Sequence, residues 1–332
     1  MSCATKIGSV HWIATVHWPS QLRTELSGSY NTAIRVGVVV LMLCGIGRSQ
    51  TLLTELTTDG IEFSSGLKFV LPVPTLAGKL SDEQLEQAKT QLAGNDGWEK
   101  FSRDSVVAPV TIKLEYVTDK EGTRVGHNVH SAFAVHAKLE SLADKDLMQQ
   151  IFGKPESRNA SGMKFFELTD ADLKAAGVDV PPADERVGRS VTYSQVEFTL
   201  LEKIRLSGVM RIERTVSPES TKFPESTKFP ESTTSPELTT ICWRLDPRFA
   251  THEKLRGAWV KTGNEPSQPK PYSGWGGYLN VTRVSKSPEV LVIESRMLLH
   301  ELPEWFNASN FIRSKLPLAI QEGARNFRRK LQ

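Results

Sequence analysis

Cysteine is scarce in this chain, with three in 332 residues, at positions 3, 44 and 242. Long apolar runs are scarcer. The longest, Val36 to Gly47, covers 12 residues, about 18 Å of helix where a bilayer needs roughly 20 residues. No stable membrane span is expected. Familiar catalytic signatures are missing too: there is no Walker-type phosphate loop, no G-x-S-x-G and no C-x-x-C. Residues 273–279 approach the dinucleotide fingerprint, but Leu279 stands where its last glycine belongs, and the stretch leads into a strand rather than a helix. Its glycines read as serving a turn and a close approach of Trp275 to a sheet. Residues 300–304 give half of a zinc-protease helix, yet Glu304 replaces the second histidine and Pro303 breaks the helix. They read as a strand-to-helix connection. On a strand, His127 faces away from His130 and His136, and those two lie about 20 Å apart. That is too far for one metal ion. No metal, cofactor or catalytic residue is predicted.

Charge excludes another class. The chain carries 41 basic and 38 acidic residues, a net +3. Lys6, Arg23, Arg35 and Arg48 stand against Glu25 alone in the first 49 positions, so the remainder balances to zero. A neutral domain lacks the accumulated cations that phosphate binding requires, and no nucleic-acid partner is expected.

The Val36–Gly47 run has one basic residue before it. Gly47 and Ser49 stand at the −3 and −1 positions of a cut before Gln50, the pattern of a secretory signal. An exported protein, periplasmic or extracellular, is the expectation, with residues 1–49 as signal plus an upstream extension. An uncleaved anchor and a core strand are the competing readings. After cleavage only Cys242 remains, so no intrachain disulfide forms, and Cys242 reads as a small buried hydrophobe. Residues 217–237 hold a six-residue unit rich in Pro, Glu, Ser and Thr, repeated and then decaying. Such a composition cannot offset the entropy of ordering and reads as a disordered loop at a hairpin tip.

Between these landmarks the pattern is regular. Ser81 with Gln84 and Thr169 with Asp172 have capping-box spacing, and Gly94 and Gly177 can stop the helices that follow. Ser141–Gly153 reads as another short helix. Alternation marks strands over residues 110–117 and from Val125, then over 191–200, 204–216, 239–245, 276–285 and 290–299, with a weak strand near Trp259. Ile312, Leu316, Ile320, Phe327 and Leu331 form one stripe of a long closing helix containing Pro317, with Asn310 or Ser309 as cap. Arg328, Arg329 and Lys330 read as a solvated, dipole-favoured helix end. Arg211 and Glu213 share one strand face. Glu294 and Arg296 share another, opposite Leu291, Ile293, Met297 and Leu299, and all four charges read as cross-strand pairs on a solvent face.

This order of elements and the amphipathic last helix resemble the helix-grip fold of START-like lipid-transfer and polyketide-cyclase domains. The wording of residues 271–283, 310–331 and 104–109 is similar to exported bacterial proteins of no established function. The resemblance implies an α+β fold over residues 125–332: a curved antiparallel sheet, two short helices, and a long C-terminal helix packed on it. Residues 50–124 would be a small helix-strand extension, either separate or continuing the sheet. It also implies an apolar pocket for a lipid-like or polyketide-like molecule, lined by Leu291, Ile293, Met297, Leu316 and Ile320. A non-enzymatic structural or interaction protein of the cell envelope is the second reading. A hydrolase- or cyclase-like enzyme using inward Arg or Glu residues is the third.

Overall fold

The computed structural model describes residues 50–78, 80–139, 141, 164–180, 188–217, 238–262, 268–286, 289–306 and 310–331. The expected signal, the repeat loop and nearly all of the helix expected at 141–153 lie outside these residues.

A short helix α1 (Leu52–Thr54) runs into a wider helical turn at Glu55–Asp59, followed by a small hairpin of β1 (Ile61–Glu62) and β2 (Lys68–Phe69). Helices α2 (Asp82–Ala93) and α3 (Trp98–Phe101) come next. The main sheet then begins with β3 (Thr111–Thr118) and β4 (Arg124–Val135), and resumes at β5 (Lys164–Glu167). After α4 (Asp170–Ala175) follow β6 (Arg189–Leu200), β7 (Ile204–Ser217), β8 (Leu238–Leu245), β9 (Ala258–Lys261) and β10 (Lys270–Pro271). The chain closes with β11 (Trp275–Lys286), β12 (Glu289–His300), α5 (Pro303–Phe306) and α6 (Phe311–Leu331). Both capping boxes form as the spacing predicts: Ser81 with Gln84 at α2 and Thr169 with Asp172 at α4.

Every pairing in the sheet is antiparallel, in the order β5-β6-β7-β8-β11-β12-β4-β3, and the sheet does not close. The first residues of β7 pair with β9 and the later ones with β8. The first hairpin therefore meets the last at β4–β12. Thr111–Thr118 belongs to this same sheet, so the leading part continues it. The architecture is α+β: an unclosed antiparallel sheet, short helices, and a long C-terminal helix laid on one face.

Alternation splits the strand residues into two sets. The inner set faces α6. Phe327 packs against Val135, Val281, Leu291 and Ile293 at one end of the helix, and Ile312 against Trp275, Leu299 and Trp305 at the other. The outer set does not face solvent. Leu52, Leu56, Ile61, Phe63 and Leu71 cover it beside Cys242, Tyr278 and Leu298, while α2 and α3 bury Leu92 and Phe101 against Ala132, Ala134 and Val292. The expected solvent-exposed cross-strand pairs are therefore sealed: Glu213 is 2% exposed and Glu294 1%.

The end of α6 departs from expectation in a similar way. Arg328 is buried, not solvated. Its guanidinium donates to the carbonyls of Ala134 at 2.9 Å, Ala108 at 2.6 Å, Pro109 at 3.1 Å and Val106 at 3.3 Å. Burial pushes its pKa down to about 10, and the four carbonyl dipoles replace water around the cation. Arg329 and Lys330 remain exposed.

Candidate functional site

The register of the strands orders the inner face into rows. Met297, Gly277, Trp243 and Ile212 lie side by side on β12, β11, β8 and β7; Ser295, Leu279, Ile241 and Arg214 form the next row. Gly277 is required here. A Cβ there would come within 2.2 Å of the Arg296 carbonyl and 3.0 Å of the Trp243 ring. The close approach expected for Trp275 is thus made by Trp243. Trp275 instead packs on Phe198 at 4.4 Å and sends its indole N–H to Met297 Sδ at 3.4 Å.

Exposure differs between rows. Leu299 and Trp275 on one side, and Ile293 and Val281 on the other, are sealed. In the two middle rows Met297, Trp243, Ile212, Leu279, Ile241 and Arg214 are each only half-buried by the described residues. Leu316 and Ile320 on α6 are half-buried as well. The result is a groove with packed ends and an apolar, partly uncovered middle.

The five residues expected to line a pocket therefore divide. Leu291 and Ile293 are filled core against Phe327. Met297 and Leu316 join the cluster around Trp275 together with Trp243 and Ile212 of the middle row, and Ile320 belongs to neither cluster. Sequence reasoning passed over Arg214. The signal was available, since alternation places it on the face of Ile212 and Val216.

Arg214 stands out electrostatically. On the inner face Arg283 pairs with Glu289 at 2.8 Å, and His127 Nε2 meets Glu301 at 2.5 Å. Arg214 has no ion pair or hydrogen bond among the described residues.

The outer face carries a different set of groups. Glu213 accepts the Leu52 N–H at 3.1 Å and guanidinium N–H groups of Arg189 and Arg211 at 2.8 and 3.3 Å. Ser64 N–H donates to His300 Nδ1 at 3.3 Å, and the Tyr278 hydroxyl to the Pro72 carbonyl at 2.9 Å. Glu294 accepts from Thr75 N–H at 2.7 Å, Thr75 Oγ1 at 2.8 Å and His130 Nε2 at 3.0 Å. Burial alone would raise the Glu294 pKa, but the hydrogen bonds from His130 and Thr75 outweigh it and hold the carboxyl below its ordinary value. Burial pushes His300 down to about 4, so its ring is neutral at physiological pH. The same burial raises the Cys242 thiol, which stays protonated. These groups fasten residues 50–78 to the sheet.

Two clefts lie away from the groove. One, of about 310 Å³, sits between residues 61–64 and the strand ends near Arg244 and Tyr272. The other, of about 420 Å³, lies beside the start of α6, walled by Tyr116, Arg124, Glu301 and Leu302. The expected cap Asn310 is engaged there: its Oδ1 accepts from Tyr116 Oη at 2.7 Å and Arg124 Nη1 at 3.2 Å. His136 bonds the Ser102 carbonyl at 2.7 Å, so the three histidines of the cluster serve three different places. Among the described residues no helix is long and apolar enough to cross a membrane.

No family model and no curated protein matches this sequence. Among solved structures the chain is similar to the human StarD13 (DLC2) lipid transfer and protein localization domain, with 14% identity over 76% of this chain and 98% of that one and a TM-score of 0.32.

Proposed function

We propose that this chain binds an apolar small molecule, of lipid-like or polyketide-like kind, in the groove between α6 and the middle rows of the sheet. One observation carries the reading: Met297, Trp243, Leu279 and Ile241 are half-covered while the rows on either side are sealed. Apolar side chains at the centre of a packed layer lose about 25 cal/mol for every Å² left in water, which favours a molecule that covers them. Met297, Leu316 and Ile320 would line it, with Leu291 and Ile293 forming the packed end. Arg214 would face the polar end of the ligand. The proposal includes export, with residues 1–49 removed before the domain works in the cell envelope.

The acid–base alternative loses support, because the buried carboxylates Glu213 and Glu294 lie on the outer face and are spent on residues 50–78. The test is a native mass spectrum of the protein recovered from its own envelope fraction, followed by Nile red titration. An apolar adduct released by organic solvent, together with saturable dye binding, is the expected result. A mass beginning at Gln50 with neither adduct nor dye binding would favour the structural protein instead.

A further inference from the structure

A sheet that does not close has open ends, and each open end carries backbone N–H and C=O groups without a ladder partner. Among the described residues this sheet ends at three strands. Two are short: β5 has four residues, and β10 has two, one of them Pro271. The third is β3, eight residues long, which pairs with β4 on one side only. Along its other side no backbone hydrogen bond from residues 111–117 reaches another element among the described residues. Edges of this length are commonly blunted by a proline, a bulge or several lysines. In β3 Lys113 stands alone, Pro109 lies before the strand, and the one irregularity comes at its last step, between Val117 and Thr118.

The side chains of β3 are sorted by charge. Lys113 and Glu115 lie on the outer side and are exposed, and neither has an ion pair among the described residues. Glu115 accepts an Asn128 amide N–H at 3.4 Å. Ile112, Leu114 and Tyr116 lie on the inner side and are half-buried. The Tyr116 hydroxyl donates to Asn310 Oδ1 at 2.7 Å, which holds the ring in place.

A second copy of this strand, laid antiparallel with Leu114 opposite Leu114, matches both sides at once. Lys113 then faces Glu115 of the second copy, and Glu115 faces its Lys113, so one sequence makes two opposite-charge pairs. On the inner side Ile112 faces Tyr116, a branched–aromatic pair of the kind that stabilises neighbouring strands. Antiparallel partners point to the same side of a sheet, so the two-fold axis has to pass through a residue. Moving it by one residue sets Lys113 against Lys113 or Glu115 against Glu115. Moving it by two separates Lys113 from Glu115 and shortens the ladder.

We propose that β3 is a self-pairing edge, through which two copies of this chain form a dimer with one continuous sheet centred on Leu114. The contact is isologous and closes at two, so it covers the open edge without starting a fibre. The middle rows of the groove lie on β7, β8, β11 and β12, so this pairing and ligand binding stand or fall separately.

The test is sedimentation velocity of the full chain over a concentration series at low ionic strength. A concentration-dependent monomer–dimer equilibrium is the expected result. Lys113→Glu and Glu115→Lys each set like charges opposite one another twice, and each should weaken dimerisation about ten-fold. The two changes together restore both pairs in the reversed sense and should bring the dissociation constant back towards wild type. Both side chains are exposed, so an unchanged circular dichroism spectrum in the single variants separates loss of pairing from loss of fold. Single reversals that leave the dimer intact, a double reversal as weak as the singles, or assemblies larger than two would each overturn the proposal. So would a monomer throughout the series, which would leave the edge to a strand of another protein.

Discussion

The two faces of the sheet invert the usual expectation about what is buried. The outer face is rich in charge, with Arg189, Arg211, Glu213, Arg244, Glu294 and Arg296, yet residues 50–101 seal it. The inner face is largely apolar, yet its middle rows are half-covered. On the outer face, a carboxylate removed from water is stabilised by backbone N–H groups and guanidinium groups, and each such contact fixes one point of the covering segment. On the inner face α6 seals both ends, and the described residues leave the middle rows half-covered. The polar face is thus matched to a segment of its own chain, while the middle of the apolar face is left half-covered by the described residues.

The comparison breaks most visibly at Glu213. Glu213→Ala removes the carboxylate between Arg189 and Arg211, leaving Arg211 to Glu55 and Arg189 to the Gln50 carbonyl, and should cost about 3–5 kcal/mol in urea unfolding. Hydrogen exchange should become fast first at residues 51–56. If stability changes by less than about 1 kcal/mol, the outer carboxylates are not anchors. A second contrast is internal to the inner face. Leu291→Ala should cost about 2–5 kcal/mol, since Leu291 is fully buried, whereas Leu316→Ala should cost about 1 kcal/mol. Only the Leu316 change should weaken Nile red binding.

Acid provides a third probe, and it acts on the outer face. His300 is neutral in the fold down to about pH 4, while the unfolded chain takes up its proton near 6.5. The unfolded state therefore binds more protons between those values, and stability is lost as the pH is lowered across that window, by up to about 3 kcal/mol. The lowered carboxyl of Glu294 acts in the same direction: its contribution is present above 4.5 and is lost as pH drops through its folded value. A stability–pH curve should flatten between pH 6.5 and 4 in His300→Asn. An unchanged slope would mean that the ring already meets solvent. The smallest expected effect is at Leu318, which is 61% exposed. Leu318→Ser should stay within about 0.5 kcal/mol.

Much of this layout was legible in the sequence. Alternation placed Leu291, Ile293 and Met297 opposite Glu294 and Arg296, and both capping boxes formed where the spacing put them. The missing parts share a cause. The segment at 50–78 has few regular elements, so no period announces which surface it will cover. Arg328 sits next to Phe327 on the helix and reads as part of a basic tail. Its four carbonyl partners come from residues 106–109 and 134, about two hundred positions away. Periodicity reports which side of an element is apolar, but it does not report which distant polar groups will meet.

The fastening of residues 50–78 also sets an order of events in time. The Leu52 N–H waits for Glu213, 161 residues later, and the Thr75 N–H for Glu294, 219 residues later. At about 5–20 residues per second, a ribosome needs roughly ten to forty seconds to supply that second partner. Throughout that interval Leu52, Leu56 and Leu71 have no sheet to lie on. The first part of the domain to be made is thus a latch that the last strand closes, and until then it is the stretch most open to a chaperone or a protease.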